Sequence, residues 1–143
     1  MHRTSLLQWQ GYRTFEAFHK PILARHHITP IEWMLLGIIH DEGDLRVTEI
    51  ADRLDVHIPF VTRTIKILLQ KKNIIIEQHP RDKRVKCVGI TAEGKRRLFL
   101  LEKDVNKTFR LLLQRVPAKK IEAYKEVLAV LIRNGKILST KLG

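Results

Sequence analysis

The residues of this chain whose types and spacing could do chemistry are cations gathered in one short stretch. HPRDKRVKCVGIT, residues 79–91, surrounds a lone acid, Asp82, with four cationic side chains: Arg81, Lys83, Arg84 and Lys86. Side chains of these types donate charge-assisted hydrogen bonds to anionic oxygens. The stretch therefore indicates a surface that binds an anion.

The charge of the whole chain favours a polyanionic partner. The formal net charge is +12, and the basic excess is uneven along the sequence. Residues 1–44 carry 4 Lys and Arg against 5 Asp and Glu, residues 45–97 carry 13 against 6, and residues 98–143 carry 10 against 4. A basic surface of this kind attracts a polyanion. Charge alone leaves open the alternative of a merely soluble basic protein.

Several function classes are not expected. No apolar run approaches the ~20 residues that span a bilayer, and the N-terminus lacks the apolar segment of a secretory signal. A single cysteine fits a reducing, cytoplasmic setting. The chain has no nucleophile–base–acid pattern, no glycine-rich phosphate loop and no paired carboxylates in a plausible cleft. We therefore expect no enzyme, no cofactor and no membrane partner.

A metal or redox site is not expected either. Of the seven histidines, His19, His26, His27 and His40 are the nearest candidates for a cluster, but no pair with three intervening residues shares a helical face. Cys87 lies on a predicted strand, where a cysteine is more often a small buried hydrophobic residue than a sensor.

Helix and strand signals place the cationic stretch at the tip of a hairpin that follows two short helices. Thr29, Pro30 and Glu32 predict a helix that begins with a reciprocal capping box. Thr48 is expected to cap a short helix, and Asn73 to end the next helix in the left-handed conformation. The predicted elements are helices over residues 4–25, 30–40, 49–54, 57–72, 92–114 and 117 onward, and strands over residues 74–78 and 85–90.

Two short helices, a tight turn and a hairpin form a helix-turn-helix with a wing. The predicted fold class is therefore mainly α, with a small two-stranded β wing. On the second short helix, the side opposite the apolar stripe carries no acid between residues 57 and 72, which suits a DNA major groove; an ordinary solvated face is the alternative. Ile58 is expected under the edge of the core. Phe60 is expected to pack against the wing or the preceding helix, with contact to a thymine methyl group as the alternative.

These motifs, in this order, resemble the MarR family of winged helix-turn-helix transcriptional regulators. The resemblance rests on TPIEWMLLGII, TEIADRLDV, FVTRTIKILLQKKNII and RDKRVKCVGITAEGKRRL, within residues 28–98. It implies a single domain over residues 1–143 that forms a homodimer. Residues 1–28 and 98–143 would be dimerisation helices, and residues 29–97 the DNA-binding lobe. Recognition helices would lie in successive major grooves, with the wings in the flanking minor grooves.

The resemblance also implies roles for individual residues. The wing arginine would be Arg84, oriented by Asp82, because a narrow minor groove attracts a guanidinium. The phosphate contacts of the wing would be Arg81, Lys83 and Lys86. The recognition helix would use His57, Pro59, Thr62, Arg63 and Lys66. The chain departs from the family at HIPF, residues 57–60, where small polar residues are usual and where Pro59 lacks a backbone N–H.

The sequence thus predicts a cytoplasmic, homodimeric transcription factor that binds a pseudo-palindromic operator in double-stranded DNA and represses. Release by a small aromatic effector is considered, with Trp9, Tyr12 and Trp33 as candidate pocket residues. The alternative for these three side chains is the core or the dimer interface. Two rival functions stay open: an architectural protein that coats DNA with little sequence preference, and a winged-helix module that binds proteins.

Overall fold

Six helices and one two-stranded antiparallel sheet make up the described part of the chain, residues 1–142 of a computed structural model. In chain order they are α1 His2–Arg25, α2 Pro30–Glu42, α3 Val47–Leu54, α4 Ile58–Gln70, β1 Ile74–His79, β2 Asp82–Ile90, α5 Ala92–Leu112 and α6 Ala118–Leu142. The chain divides into two compact units, Met1–Thr108 and a second that starts at Phe109, so the boundary falls within α5. The predicted fold class, mainly α with a small β wing, is confirmed.

The core of the first unit is built on α2. Leu35 and Leu36 of this helix are completely buried, as are Ile50 of α3, Leu68 of α4 and Leu101 of α5. Each side chain of this size contributes about 1.5–3 kcal/mol when it leaves water. Both helices of the helix-turn-helix are thus packed on one hydrophobic core. This packing determines which side of α4 faces solvent.

At the start of α2, the predicted cap by Thr29 is confirmed, but the predicted return bond from the Glu32 side chain is wrong. Pro30 occupies the first turn, and the Thr29 hydroxyl oxygen accepts the Glu32 N–H at 3.3 Å. The Glu32 carboxylate does not return this bond; it is buried and binds Lys71 Nζ at 2.7 Å. Lys71 Nζ also donates to the His27 carbonyl at 2.8 Å. An ion pair between a buried carboxylate and a partly exposed lysine therefore ties the end of α4 to the start of α2.

The predicted cap of α3 is wrong. Thr48 lies inside the helix, which begins at Val47 with Arg46 in the cap position. The Arg46 N–H donates to Glu49 Oε2 at 2.8 Å. Because the glutamate supplies an acceptor from inside the first turn, this helix begins without a side-chain oxygen at its cap.

The end of α4 differs from the prediction by one residue. Lys72, not Asn73, adopts the left-handed conformation, with φ 58°. Its N–H donates to the Leu69 carbonyl and the Asn73 N–H to the Leu68 carbonyl, both at 2.9 Å, which is the Schellman pattern. The shift moves Asn73 into the core, where it is completely buried.

The start of α5 packs closely against this helix end. Thr91 caps α5 as predicted, because its hydroxyl oxygen accepts the Gly94 N–H at 2.9 Å. The Thr91 N–H in turn donates to the Asn73 carbonyl at 3.0 Å. A Cβ at Gly94 would collide with that same carbonyl oxygen. Glycine at this position is what lets α5 approach the chain that leaves α4.

The strands of the wing are longer than predicted, and a residue outside the hairpin also pairs with β2. β1 and β2 pair antiparallel with Ile74 opposite Ile90 and His79 opposite Asp82, with an irregularity between Gln78 and His79. β2 begins at Asp82 rather than Val85, so much of the cationic stretch is strand and not loop. Leu45, which precedes α3, also pairs with Val88 of β2, and the Val88 N–H donates to its carbonyl at 2.8 Å.

The long terminal helices expose much apolar surface. Over residues 118–141, no side chain of α6 is buried. None of the helices described over residues 1–142 combines the length and apolar character that crossing a membrane requires. The large apolar side chains that are about half exposed or more include Leu7, Trp9 and Tyr12 of α1 and Tyr124, Val127, Leu131 and Ile132 of α6.

Candidate nucleic-acid interface

The second helix of the helix-turn-helix, α4, has one buried side and one exposed cationic side, as the sequence predicts. Val61, Ile65 and Leu68 face the core and are at most 4% exposed. At about 100° per residue, the opposite side of the helix falls on Arg63 and Lys66, and both are exposed. Pro59, Thr62 and Gln70 are exposed as well. No aspartate or glutamate occurs between Ile58 and Gln70.

The cations of α4 are available to an external partner. Within residues 1–142, neither Arg63 nor Lys66 forms an ion pair. The Thr62 hydroxyl donates to the Ile58 carbonyl at 3.0 Å, which leaves its oxygen free to accept a hydrogen bond. The arrangement offers hydrogen-bond donors at the centre of the helix with an acceptor beside them.

The first turn of α4 differs from the prediction. Ile58 was expected under the edge of the core, but 48% of its surface is exposed. Phe60 retains 40% exposure and lines an open depression with the C-terminal part of α3, so its predicted packing leaves much of the ring in solvent. Both residues precede Val61, the first buried residue of the helix. Their place ahead of the apolar stripe was the signal in the sequence that could have predicted their exposure. Their exposure gives the helix start an apolar surface.

The tip of the wing holds one arginine in a defined pose. The Arg84 backbone N–H donates to Asp82 Oδ1 at 3.0 Å, and the Arg84 Nε lies 3.3 Å from the same oxygen. The Arg84 side chain is nevertheless 92% exposed, against 39% for Asp82. The carboxylate thus fixes the base of the guanidinium while its outer edge faces solvent.

The remaining cations of the wing are exposed on both sides of this pair. Arg81, Lys83 and Lys86 make no ion pair within the described residues. The Arg81 N–H donates to His79 Nδ1 at 3.2 Å, which fixes the backbone of the turn. The hairpin thus carries one guanidinium held by a carboxylate among exposed cations that have no ion-pair partner within the described residues.

The three candidate pocket residues have different surroundings. Trp9 and Tyr12 of α1 are 62% and 65% exposed, so the alternative that they belong to the protomer core is wrong. Trp33 is half-buried, with its ring 5.4 Å from the His19 ring in an edge-on contact. Burial lowers the pKa of His19. The depression beside Phe60 is lined by none of these three aromatic residues.

Cys87 is a buried hydrophobic side chain, as predicted. It is 1% exposed, and its thiol donates to the Glu77 carbonyl at 3.6 Å. Burial is the largest cause that raises the pKa of the Cys87 thiol, followed by the charges of Asp44 and Glu77. A thiol held protonated in this way reacts slowly with oxidants. Among residues 1–142, no group of three or more His, Cys, Asp or Glu side chains is placed to hold a metal ion.

The sequence is similar to those of known transcriptional regulators. An HTH-type transcriptional regulator of Staphylococcus aureus strain Mu50 is 31% identical over 96 residues, 67% of this chain and 66% of that protein. The HTH-type transcriptional repressor MdtR of Bacillus subtilis is 32% identical over 73 residues, 50% of this chain and 46% of MdtR. The chain thus matches just under two thirds of the first relative's length and under half of the second's.

The fold has close counterparts among solved structures. The crystal structure of NadR in complex with 4-hydroxyphenylacetate superposes with a TM-score of 0.79 at 20% identity, covering 88% of this chain and 89% of NadR. At this identity the match is one of fold. A model of the MarR family matches residues 28–86, which contain both helices of the helix-turn-helix and most of the wing. The chain belongs to the MarR family.

Proposed function

We propose that this chain is a transcriptional regulator, without enzymatic activity, that binds double-stranded DNA as a homodimer at a pseudo-palindromic operator. The observation that carries the proposal is the cationic surface of α4 and the wing, in which one guanidinium is oriented and the other cations have no ion-pair partner within residues 1–142. Neutralising DNA phosphates releases counterions, and this supplies a large part of the affinity of such surfaces for DNA.

The exposed side of α4 fits the major groove. A recognition helix reads base edges there with a few side chains. Arg63 and Lys66 can donate to the O6 and N7 atoms of guanine, the commonest specific contact. Thr62 can accept from or donate to a neighbouring base or phosphate. These donors belong to a helix whose opposite side is fixed in the core, so the side of the helix that carries them is set before DNA binds.

The wing fits the adjacent minor groove. A narrow minor groove has an enhanced negative potential, and an inserted arginine reads that width as a preference for A·T-rich sequence. Arg84 is the wing cation that a carboxylate holds, through Asp82 Oδ1 at 3.3 Å. A side chain ordered in advance loses less entropy on docking. Arg81, Lys83 and Lys86 would then contact phosphates, which fixes position without reading sequence.

The terminal helices supply the proposed dimer contacts. Apolar side chains of α6 such as Val127, Leu131 and Ile132 are 63%, 53% and 57% exposed. Soluble monomers rarely leave a contiguous apolar surface of this extent in water. We assign residues 1–28 and 98–143 to dimerisation and residues 29–97 to DNA binding. A two-fold dimer would place two copies of α4 about one helical turn of DNA apart, roughly 34 Å.

Repression with release by a small molecule is the proposed mode of action. MdtR, a relative over half of the chain, is a transcriptional repressor, and NadR, which shares the fold, binds 4-hydroxyphenylacetate. Trp9, Tyr12 and Trp33 are the aromatic side chains proposed to line an effector site. Aromatic rings stack on an aromatic ligand with modest but directional stabilisation.

Selection of DNA from a randomised pool, followed by competition, tests the proposal. The full-length protein should enrich one sequence with two-fold symmetry, and at fixed salt it should bind that duplex at least about 1,000-fold more tightly than random DNA. Equal affinity for both would favour an architectural protein, for which the basic C-terminal third of the chain, 10 Lys and Arg against 4 Asp and Glu, provides a rationale. Absence of any salt-dependent DNA binding would favour a protein-interaction module.

A further inference from the structure

The recognition helix begins with apolar side chains that the core does not use. Ile58 and Phe60 are 48% and 40% exposed, and Pro59 between them is exposed too. The first residues of a recognition helix are the ones that contact base edges in a helix-turn-helix complex. This chain therefore presents hydrocarbon where base-edge donors and acceptors would be read.

An apolar side chain at that position can make a favourable contact with only one group in the major groove, the methyl group of thymine. Base edges there carry hydrogen-bond donors and acceptors, and the exception is the C5-methyl group of thymine. A ring placed over a donor or acceptor displaces water without replacing its hydrogen bonds, which is unfavourable. A ring placed over a methyl group removes apolar surface of both partners from water, which is favourable.

The surroundings of Phe60 favour a base edge over a small anion or a phosphate. Its ring lines an open depression with Asp52 and Asp55 of the α3 end, and two carboxylates there repel phosphate oxygens. Arg63, one turn further along α4, is exposed and would draw the helix onto DNA. The apolar surface is thus flanked by a cation that attracts DNA and by acids that keep a phosphate away from the ring.

We propose that Phe60, supported by Ile58, is a specificity-determining residue that reads a thymine methyl group in each half-site. The inference rests on the proposed DNA-binding function and adds a base preference to it. The same ring would favour 5-methylcytosine over cytosine at that position, because the two methyl groups occupy equivalent places in the groove.

The experiment removes the methyl group alone. The duplex enriched by the full-length protein from a randomised pool is resynthesised with deoxyuridine replacing each thymidine in turn, symmetrically in both half-sites. Dissociation constants are measured by fluorescence anisotropy at one salt concentration. Removing one buried methyl per half-site should weaken binding about fourfold per site and about 15-fold for the dimer at one thymidine position.

Two variants assign the effect to a residue. Phe60→Ala should bind the thymidine and deoxyuridine duplexes equally, since the ring that contacts the methyl group is gone. Ile67→Ala is the matched control, because Ile67 is 37% exposed and lies about 10 Å further along the same helix. Ile67→Ala should keep the full difference in affinity between the thymidine and deoxyuridine duplexes. Circular dichroism should show near wild-type helix content for both variants, and thermal unfolding a similar, modest loss, since each side chain is more than a third exposed and lies outside the buried core.

The possible outcomes separate the role of Phe60 from the proposed operator binding. Methyl sensitivity at one position, lost in Phe60→Ala and kept in Ile67→Ala, supports the inference. Selection of a specific duplex without methyl sensitivity, or sensitivity that survives in Phe60→Ala, overturns it and leaves the proposed regulator standing. If no sequence is enriched, the proposed operator binding fails, and the inference fails with it. A second arm compares cytosine with 5-methylcytosine at the sensitive position, where methylation should tighten binding of the wild type only.

Discussion

Removing the acid of the wing should weaken operator binding even though it makes the protein more positive. In Asp82→Ala, the Arg84 guanidinium loses the carboxylate oxygen that lies 3.3 Å from its Nε. Simple electrostatics predicts tighter binding to every DNA, because a negative charge has left the interface. The orienting role of Asp82 predicts weaker binding to the operator, because the freed guanidinium must be ordered when it docks.

The two effects differ enough in size to be separated. Immobilising a flexible side chain at an interface costs about 0.5–1.5 kcal/mol, so two wings would lose about 1–3 kcal/mol. That loss corresponds to roughly 5- to 150-fold in operator affinity. Unit charges about 10 Å apart in water interact by about 0.4 kcal/mol, and physiological salt reduces this further. The orienting effect should therefore exceed the gain in charge on the operator.

The assay compares operator and random-sequence duplexes at a single salt concentration. Asp41→Ala is the matched control, because it removes an exposed acid from the end of α2 and leaves the wing untouched. Asp82→Asn keeps an oxygen that can accept the Arg84 backbone N–H, so it separates the fold of the turn from the hold on the guanidinium. Lys83→Ala should weaken both duplexes about equally, as loss of a phosphate contact does.

The reasoning would be refuted by one result. If Asp82→Ala binds the operator more tightly, by the same factor as random DNA and by the same factor as Asp41→Ala, then Asp82 does not orient Arg84 for DNA. The tip of the wing would then act only as a cluster of positive charge.

Three further predictions concern affinity and stability. With about 4–5 phosphates neutralised per protomer, the logarithm of the dimer's association constant should fall with the logarithm of salt with a slope of about −7 to −9, and a slope near zero would exclude DNA as the main partner. Gly94→Ala should lower the free energy of unfolding by about 1–3 kcal/mol in urea titrations, whereas Gly11→Ala, with open space around it, should raise it by about 0.5–1 kcal/mol. Lys71→Met should cost about 2–4 kcal/mol because it strands the buried Glu32 carboxylate, against under 0.5 kcal/mol for Lys125→Met in an exposed pair.

Local signals predicted the elements of the fold because their causes are local. Thr29 with Pro30, and Thr91 ahead of α5, cap helices through backbone groups within three residues, and the structure confirms both. The apolar stripe of α4 predicted its buried side for the same reason, since helical periodicity alone determines which residues share a face. The contact between Asp82 and Arg84, which the resemblance to the MarR family implied, is also local, since the two residues lie two positions apart on one strand.

The parts that the sequence did not predict depend on distant partners. Glu32 leaves its cap for Lys71, 39 residues further along the chain, and no local pattern contains that choice. Leu45 pairs with Val88, which required knowing where the base of the wing lies. Ile58 was assigned to the core from its apolar side chain, although the first turn of α4 extends beyond the core. In the first two cases the outcome depends on residues far away in the sequence, and in the third on how far the core extends along α4.

The two ends of α4 differ in how freely evolution can change them. At its C-terminal end, Lys71 is bound to a buried carboxylate and to the His27 carbonyl, so replacements there should destabilise the lobe by about 2–4 kcal/mol. At its N-terminal end, Ile58 and Phe60 are substantially exposed, and replacing such residues usually changes stability by less than about 0.5 kcal/mol. If the proposed operator binding holds, descendants of this protein would acquire new operators through substitutions in the first turn of α4, while the residues that fold the lobe stay under separate selection.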